Sequence, residues 1–248
     1  MDHFNYRNGQ LYAEDVSVAE IAESVGTPFY VYSTATLVRH FQLFDDALKG
    51  MDHCICYAMK AASNQAILKT LGNLGAGMDV VSGGEYRRAI SAGIPPEKVV
   101  FSGVGKTLEE ITLALQNGIR QFNVESESEL EKISSIASSM DKIAPIAIRI
   151  NPDVDAQTHE KIATGKAENK FGIPLSRARE VYSKASQLPG ISIVGIDLHI
   201  GSQLTELEPF KKAYLKLADL THILRQDGHK IKRLELGGGL GIPSEKNK

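Results

Sequence analysis

An α/β chain forming a (β/α)8 barrel of the TIM type, short of its last strand, is the fold that this sequence predicts, and three observations predict it. Strand candidates begin near Cys54, Gly77, Val99, Gln121, Ile146, Ile193 and Arg233. The first four are spaced by 23, 22 and 22 residues, the length of one strand, one helix and two short loops. Alternate positions along these strands collect polar residues on one face and large apolar residues on the other. Only Ile242-Pro-Ser-Glu-Lys-Asn-Lys248 follows the seventh strand, too short and polar to supply another helix and strand. The even spacing favours a barrel over an open doubly wound sheet. Seven strands leave two unpaired edges, so the sequence reads as a truncated version of a longer chain. The alternative is an open seven-stranded sheet with residues 29–32 at one edge.

Composition narrows the function. Hydrophobic residues make up 42% and charged residues 23% of the 248, ordinary proportions for a soluble globular protein. The formal charge is -2 and Lys and Arg are spread along the chain, so no nucleic-acid partner is expected. There is no apolar signal segment and no run of 18 apolar residues, which points to a cytoplasmic protein without a membrane partner. Cys54 and Cys56 are the only cysteines, too close for a structural staple and without partners for a zinc site. They read as buried small thiols in a reducing compartment, and no metal is expected.

Taken in order, residues 1–33 form an outlying piece and 34–248 the incomplete barrel. Residues 11–13 read as a short strand. Ser17 caps a short helix with Glu20 at its N3 position, Gly26-Thr27-Pro28 ends it, and 29–32 reads as a second strand. A helix over 36–48 carries Leu37, Phe41, Phe44 and Leu48 at helical spacing. The first barrel strand, 54–61, places Cys54, Cys56, Ala58 and Lys60 on one face, with Lys60 at its buried C-terminal end. A charged amine there is costly unless something uses it. Either it snorkels out to a carboxylate, or it is a nucleophile that forms an imine with a carbonyl cofactor. Helices follow over 63–74, 84–92, 107–117, 126–139, 175–188 and 205–225, several opening like Thr107 with Glu110 three residues on.

The inward face collects Lys60, Asp79, Ser102, Asn123, Glu125, Arg149, Asn151, Asp197, His199, Glu235 and Gly237, toward the strand ends where barrel enzymes place their chemistry. Ile55, Val80, Phe101, Val124, Ile148, Ile150, Ile196, Leu198, Leu234 and Leu236 should pack against the helix ring. His199 is either a hydrogen-bonded core residue or an imidazole lying flat over an aromatic ring, with Ser202 Oγ and the following amides free to hold an anion. Gly237-Gly-Gly-Leu-Gly241 is either a tight turn or an anion-binding nest; it matches neither a Walker loop nor Gly-x-Gly-x-x-Gly. Glu85 suits a helix first turn, whereas Asp79 faces inward. The polar insert over 151–166, continued by 169–173, suits a lid or substrate rim as well as a plain solvated loop, His159 and Lys161 included.

Seven segments together carry a resemblance. Thr27-Pro-Phe-Tyr-Val-Tyr-Ser33, Tyr57-Ala-Met-Lys-Ala61, Gly77-Met-Asp-Val-Val-Ser82, Asn151-Pro-Asp-Val-Asp155, Lys170-Phe-Gly172, His199-Ile-Gly-Ser-Gln203 and Gly237-Gly-Gly-Leu-Gly241 resemble the N-terminal half to two-thirds of the diaminopimelate decarboxylases. These are fold-type III pyridoxal-phosphate enzymes with an alanine-racemase-like barrel. The resemblance implies pyridoxal 5'-phosphate as cofactor, with Lys60 the lysine bonded to it and His199 stacked on its ring. Ser202, Gly237, Gly238 and Gly239 would hold the phosphate, and Asp79 and Arg149 would stand beside or behind the ring. It implies decarboxylation of meso-2,6-diaminopimelate to L-lysine and CO2 in lysine biosynthesis. An ornithine/arginine-type decarboxylase, a racemase and a non-catalytic pyridoxal-phosphate protein are the alternatives. It further implies a homodimer for the full-length protein and a role for residues 1–33 in joining a C-terminal β-domain. That domain and the Glu-Pro-Gly-Arg segment of the eighth strand are absent here, which puts the activity of the chain alone in question. Ala62 stands where the family usually has asparagine.

Overall fold

The computed structural model describes residues 3–154 and 171–242. The expectations placed on Asp155, His159, Lys161, Lys166, Asn169, Lys170 and residues 243–248 lie outside the described residues.

The chain opens with a small antiparallel sheet of β1 (Phe4–Arg7), β2 (Gln10–Ala13) and β3 (Val16–Ser17). Asn8 and Gly9, at φ of 51° and 79°, make its two-residue turn, the left-handed pair that matches strand twist. Ser17 caps α1 (Val18–Val25) by accepting from the Ala19 N–H, and Gly26 terminates it at φ 81°. Residues 29–32 form no strand, contrary to expectation. Their aromatic and β-branched composition suits a strand, but pairing decides, and Tyr30 stands 91% exposed. Ser33 then caps α2 (Thr34–Ala47), and Glu14 accepts from both Ser33 Oγ and the Ala35 N–H at 2.8 Å, tying the small sheet to the helix start.

From there strand and helix alternate: β4 (Cys56–Ala58), α3 (Gln65–Asn73), β5 (Gly77–Val80), α4 (Gly83–Ser91), β6 (Val99–Phe101), α5 (Leu108–Gln116), β7 (Gln121–Val124), α6 (Glu127–Ser139), β8 (Ala144–Asn151), β9 (Ile173–Pro174), α7 (Ala178–Gln187), β10 (Ile191–Leu198), α8 (Glu208–Gln226) and β11 (Arg233–Glu235). The sheet order is β11-β10-β8-β7-β6-β5-β4, all parallel, with β9 paired off the end of β8. All seven strands expected from the spacing are present. Side-chain caps fix several helix starts. Thr107 and Glu110 form a reciprocal capping box, and Ser82 and Ser126 accept from the N–H groups of Glu85 and Glu129.

The sheet curls without closing, its two edges 9 Å apart. Neighbouring strands lie about 4.8 Å apart, so the gap between β4 and β11 has the width of one strand. The barrel short of one strand is therefore what the structure shows. Its outer face forms the core with the helices: Val80, Phe101, Val124, Ile148, Ile196 and Leu198 are fully buried against Leu68, Tyr86, Ile111, Leu130 and Tyr182.

Three expectations are corrected. Leu234 and Leu236 remain 45% and 42% exposed, on and just after β11, the edge strand of the sheet. The first barrel strand is three residues rather than eight, so Lys60 occupies an exposed turn beyond β4 and not a buried strand end. Cys54 precedes β4 and is exposed, not buried. Among the described residues no helix is long and apolar enough to cross a membrane.

Candidate active site

The inner face of the sheet is polar, and side-chain hydrogen bonds between strands satisfy much of it. Gln121 Nε2 donates to Asn123 Oδ1 at 2.8 Å and to Glu235 Oε2 at 3.1 Å, joining β7 to β11 across the barrel. Asn123 Nδ2 donates to Ser102 Oγ at 3.0 Å. Arg149 Nη1 donates to both oxygens of Glu125 at 2.9 and 2.8 Å. Asp197 stands level with Arg149 on one neighbouring strand and Glu235 on the other. Burial pushes its carboxyl up to about 7; the Arg149 charge opposes this, and Glu125 and Asp79 add to it. Burial also raises Asp79 and Glu235.

This has a measurable consequence. Between the ordinary aspartate value of about 4 and about 7, the folded protein binds a proton at Asp197 that the unfolded chain has released. Stability from this group is thus full at low pH and declines as pH rises through that window. Asp197→Asn should flatten the decline, raising the melting temperature of the intact apoprotein near pH 8 with little change near pH 4. Melting curves at the two pH values check this; an unchanged or lower value near pH 8 would contradict it.

At the C-terminal rim, the turn carrying Lys60 is pinned by the Met59 N–H to the Asp79 carbonyl (3.0 Å) and closed by the Ala61 N–H to the Ala58 carbonyl (3.1 Å). Met59 is buried and anchors the turn, while Lys60 projects to solvent. Lys60, Asp79 and His199 stand at or just beyond the C-terminal ends of the parallel strands β4, β5 and β10, and the positive charge of Lys60 acts on the other two. His199 follows β10 and is half-buried. Desolvation first, then the charges of Arg149 and Lys60, bring its imidazole down to about 4, so the ring is neutral at physiological pH.

Two loops interlock beside it. A side chain at Gly237 (φ 65°) would begin 3.1 Å from His199 Nδ1 and against the Leu198 carbonyl. One at Gly239 (φ 107°) would strike the Gly201 carbonyl. Leu204 N–H donates to the Gly239 carbonyl at 2.9 Å, and Gly241 N–H returns to the Leu204 carbonyl at 2.8 Å. The turn holding exposed Ser202 and the glycine run are therefore laced together, with open space at Gly238. Asp79 Oδ1 and Arg149 Nε are buried without a hydrogen-bond partner among the described residues. The Arg149 guanidinium lies 5.9 Å from the centre of the Phe171 ring, over its face. An amine, a neutral flat ring and a side-chain-free backbone cradle on one rim fit an aromatic aldehyde that carries a phosphate.

One buried pair escaped the sequence reading. Lys106 Nζ, fully buried, donates to the carbonyls of Gly103 and Asn123 at 2.7 Å and to Glu129 Oε1 at 2.8 Å. Glu129 Oε2 in turn accepts from the Glu125 N–H at 2.7 Å, fixing the residue that grips Arg149. In sequence Glu129 shows only as the acid three residues after a capping serine, and nothing nearby marks Lys106 as its partner.

The model of the pyridoxal-dependent decarboxylase family, pyridoxal binding domain, matches residues 34–248. The chain is 54% identical over 242 residues to the diaminopimelate decarboxylase of Haemophilus influenzae, covering 98% of this chain and 58% of that protein. The crystal structure of diaminopimelate decarboxylase from Helicobacter pylori complexed with L-lysine superposes with a TM-score of 0.88 at 43% identity, covering 93% of this chain and 58% of that one. The lysine decarboxylase of Selenomonas ruminantium is more distant, with a TM-score of 0.81 at 26% identity, covering 96% of this chain and 59% of that one. The chain thus spans somewhat under two thirds of the length of the relatives it matches.

Proposed function

This chain belongs to the pyridoxal-dependent decarboxylase family, and we propose that the intact protein is a diaminopimelate decarboxylase that converts meso-2,6-diaminopimelate to L-lysine and CO2 with pyridoxal 5'-phosphate as its cofactor. The convergence of Lys60, neutral His199 and the laced loops at Gly201 and Gly239 carries the reading. The H. influenzae and H. pylori relatives favour this substrate over lysine, since the lysine decarboxylase is much less similar.

Lys60 Nζ would be the amine that holds the cofactor through its aldehyde carbon, presented from a turn that backbone bonds and buried Met59 fix. His199 would lie flat against the ring, neutral and so compatible with stacking on an electron-poor aromatic. Ser202 and Gly237 to Gly239 would hold the phosphate, and Asp79 and Arg149 would flank the ring. When bound, the cofactor supplies the electron sink for the pair left by the departing carboxylate. The chain's own share is positional. Arg149 is held by Glu125, Glu125 by Glu129, and Glu129 by Lys106, so the wall behind the site rests on a connected network.

We further place residues 1–33 with a separate β-domain; the family match beginning at residue 34 and the small sheet of β1 to β3 support that boundary. The intact protein is read as a cytoplasmic homodimer. CO2 release from meso-2,6-diaminopimelate, lysine and ornithine by the intact protein tests the proposal. Release from diaminopimelate with L-lysine as product is expected. Release only from the other amino acids, or from none, would overturn it.

A further inference from the structure

The two cysteines lie at the end of the barrel opposite Lys60. Cys56 is on β4, and Cys54 precedes it, at the N-terminal ends of the strands. Their sulfurs are 3.9 Å apart. Both rest over Gly77, where a side chain would begin 2.9 Å from Cys56 Sγ and 3.4 Å from Cys54 Sγ. Cys54 is exposed at the edge of a cavity of about 310 Å³, lined also by His53, Asp52, Leu74, Lys98 and Arg120. Lys98 Nζ is held by the Gly75 carbonyl at 3.0 Å, and Arg233 donates to the Arg120 carbonyl at 2.8 Å, so three cations crowd this rim. Two acids, Asp45 and exposed Asp52, also line the cavity. Asp45 bonds His53 Nε2 at 3.0 Å, and Glu235 lies on the Cys56 side, bonded to Gln121.

We infer that Cys54 is a nucleophilic thiolate that forms mixed disulfides with anionic low-molecular-weight disulfides of the glutathione class, with Cys56 as its hydrogen-bond donor. A mere packing pair would bury both cysteines; here Cys54 is exposed at a cavity where Arg120 and Lys98 are the charges that act on it, and Cys56 backs it. The Cys56 hydrogen bond first, then Arg120 and Lys98, bring the Cys54 thiol down to about 6, while the same bond and burial push Cys56 up. At neutral pH the pair thus holds one thiolate and one thiol. Cys54 Sγ attacks one sulfur of R–S–S–R and the Cys54–S–S–R bond forms. The old S–S bond breaks, and R–S⁻ leaves to take a proton from water. No electrons beyond those of the disulfide are needed. Lys98 and Arg120 favour a carboxylate-bearing reagent over a cationic one.

The test uses the intact protein. Glutathione disulfide at neutral pH, followed by peptide mass mapping, should place the added mass on Cys54. Alkylation of Cys54 by iodoacetamide should show a midpoint near the shifted value rather than the ordinary thiol value of about 8.5. Cys56→Ala should move that midpoint upward. The ratio of the rates with glutathione disulfide and with cystamine, both alkyl disulfides, should exceed the same ratio for a free small thiol, and Lys98→Ala with Arg120→Ala should return it to the free-thiol ratio. Cys54→Ser should remove the labelled peptide and leave CO2 release unchanged, which separates this inference from the decarboxylase reading. An ordinary midpoint, labelling of Cys56 instead, or no preference for the anionic reagent would overturn it.

Discussion

Lys60→Ala should lower decarboxylation by the intact protein on the order of 10³-fold or more, since on the proposed assignment its amine is the one that holds the cofactor's aldehyde. The same change should leave folding nearly untouched. Lys60 is exposed, and the turn is held by backbone bonds from Met59 and Ala61 and by buried Met59. Surface substitutions of this kind stay within about 0.5 kcal/mol. CO2 release and thermal melting, measured on the same preparation, separate the two effects. A variant that keeps more than a few per cent of the activity would sink the assignment; one that simply unfolds would show in the melt.

Gly239→Ala should weaken cofactor binding by about two orders of magnitude, the equivalent of roughly 2.7 kcal/mol. Gly239 sits at φ 107°, and any side chain there would meet the Gly201 carbonyl. The two laced loops must separate to admit it, and the Leu204 to Gly239 hydrogen bond of 2.9 Å goes with them. Gly238→Ala is the control, because Gly238 faces open space and has no positive φ. Equilibrium titration with pyridoxal 5'-phosphate distinguishes the pair: tight binding lost at 239 and largely kept at 238. Equal behaviour of the two variants would remove the glycine run from the phosphate site.

The sequence disclosed what depends on local pattern. Strand spacing marks β4 to β8, β10 and β11, and alternation marks the polar interior, Asp79, Asn123, Arg149, Asp197 and Glu235 among it. What it could not disclose depends on partners distant in the chain. Residues 29–32 have strand composition but no strand beside them. Leu234 and Leu236 have core composition but lie at the edge of the sheet, half exposed. The eight-residue apolar run ending at Lys60 yields a three-residue strand, because pairing to β5 stops at Ala58 opposite Asp79 and the chain turns. The lacing of the Leu204 loop to the glycine run, and the Lys106 to Glu129 pair, join segments more than twenty residues apart that carry no shared signal. Resemblance supplied roles for Lys60 and His199; geometry supplied the reason they can act together, a shared rim with a neutral imidazole.

That shared rim is most directly tested by borohydride reduction of the cofactor-saturated intact protein, followed by peptide mass mapping. The reduced cofactor should be found on the peptide containing Lys60. Its attachment to a different lysine, or no covalent retention at all, would contradict the site described for this chain.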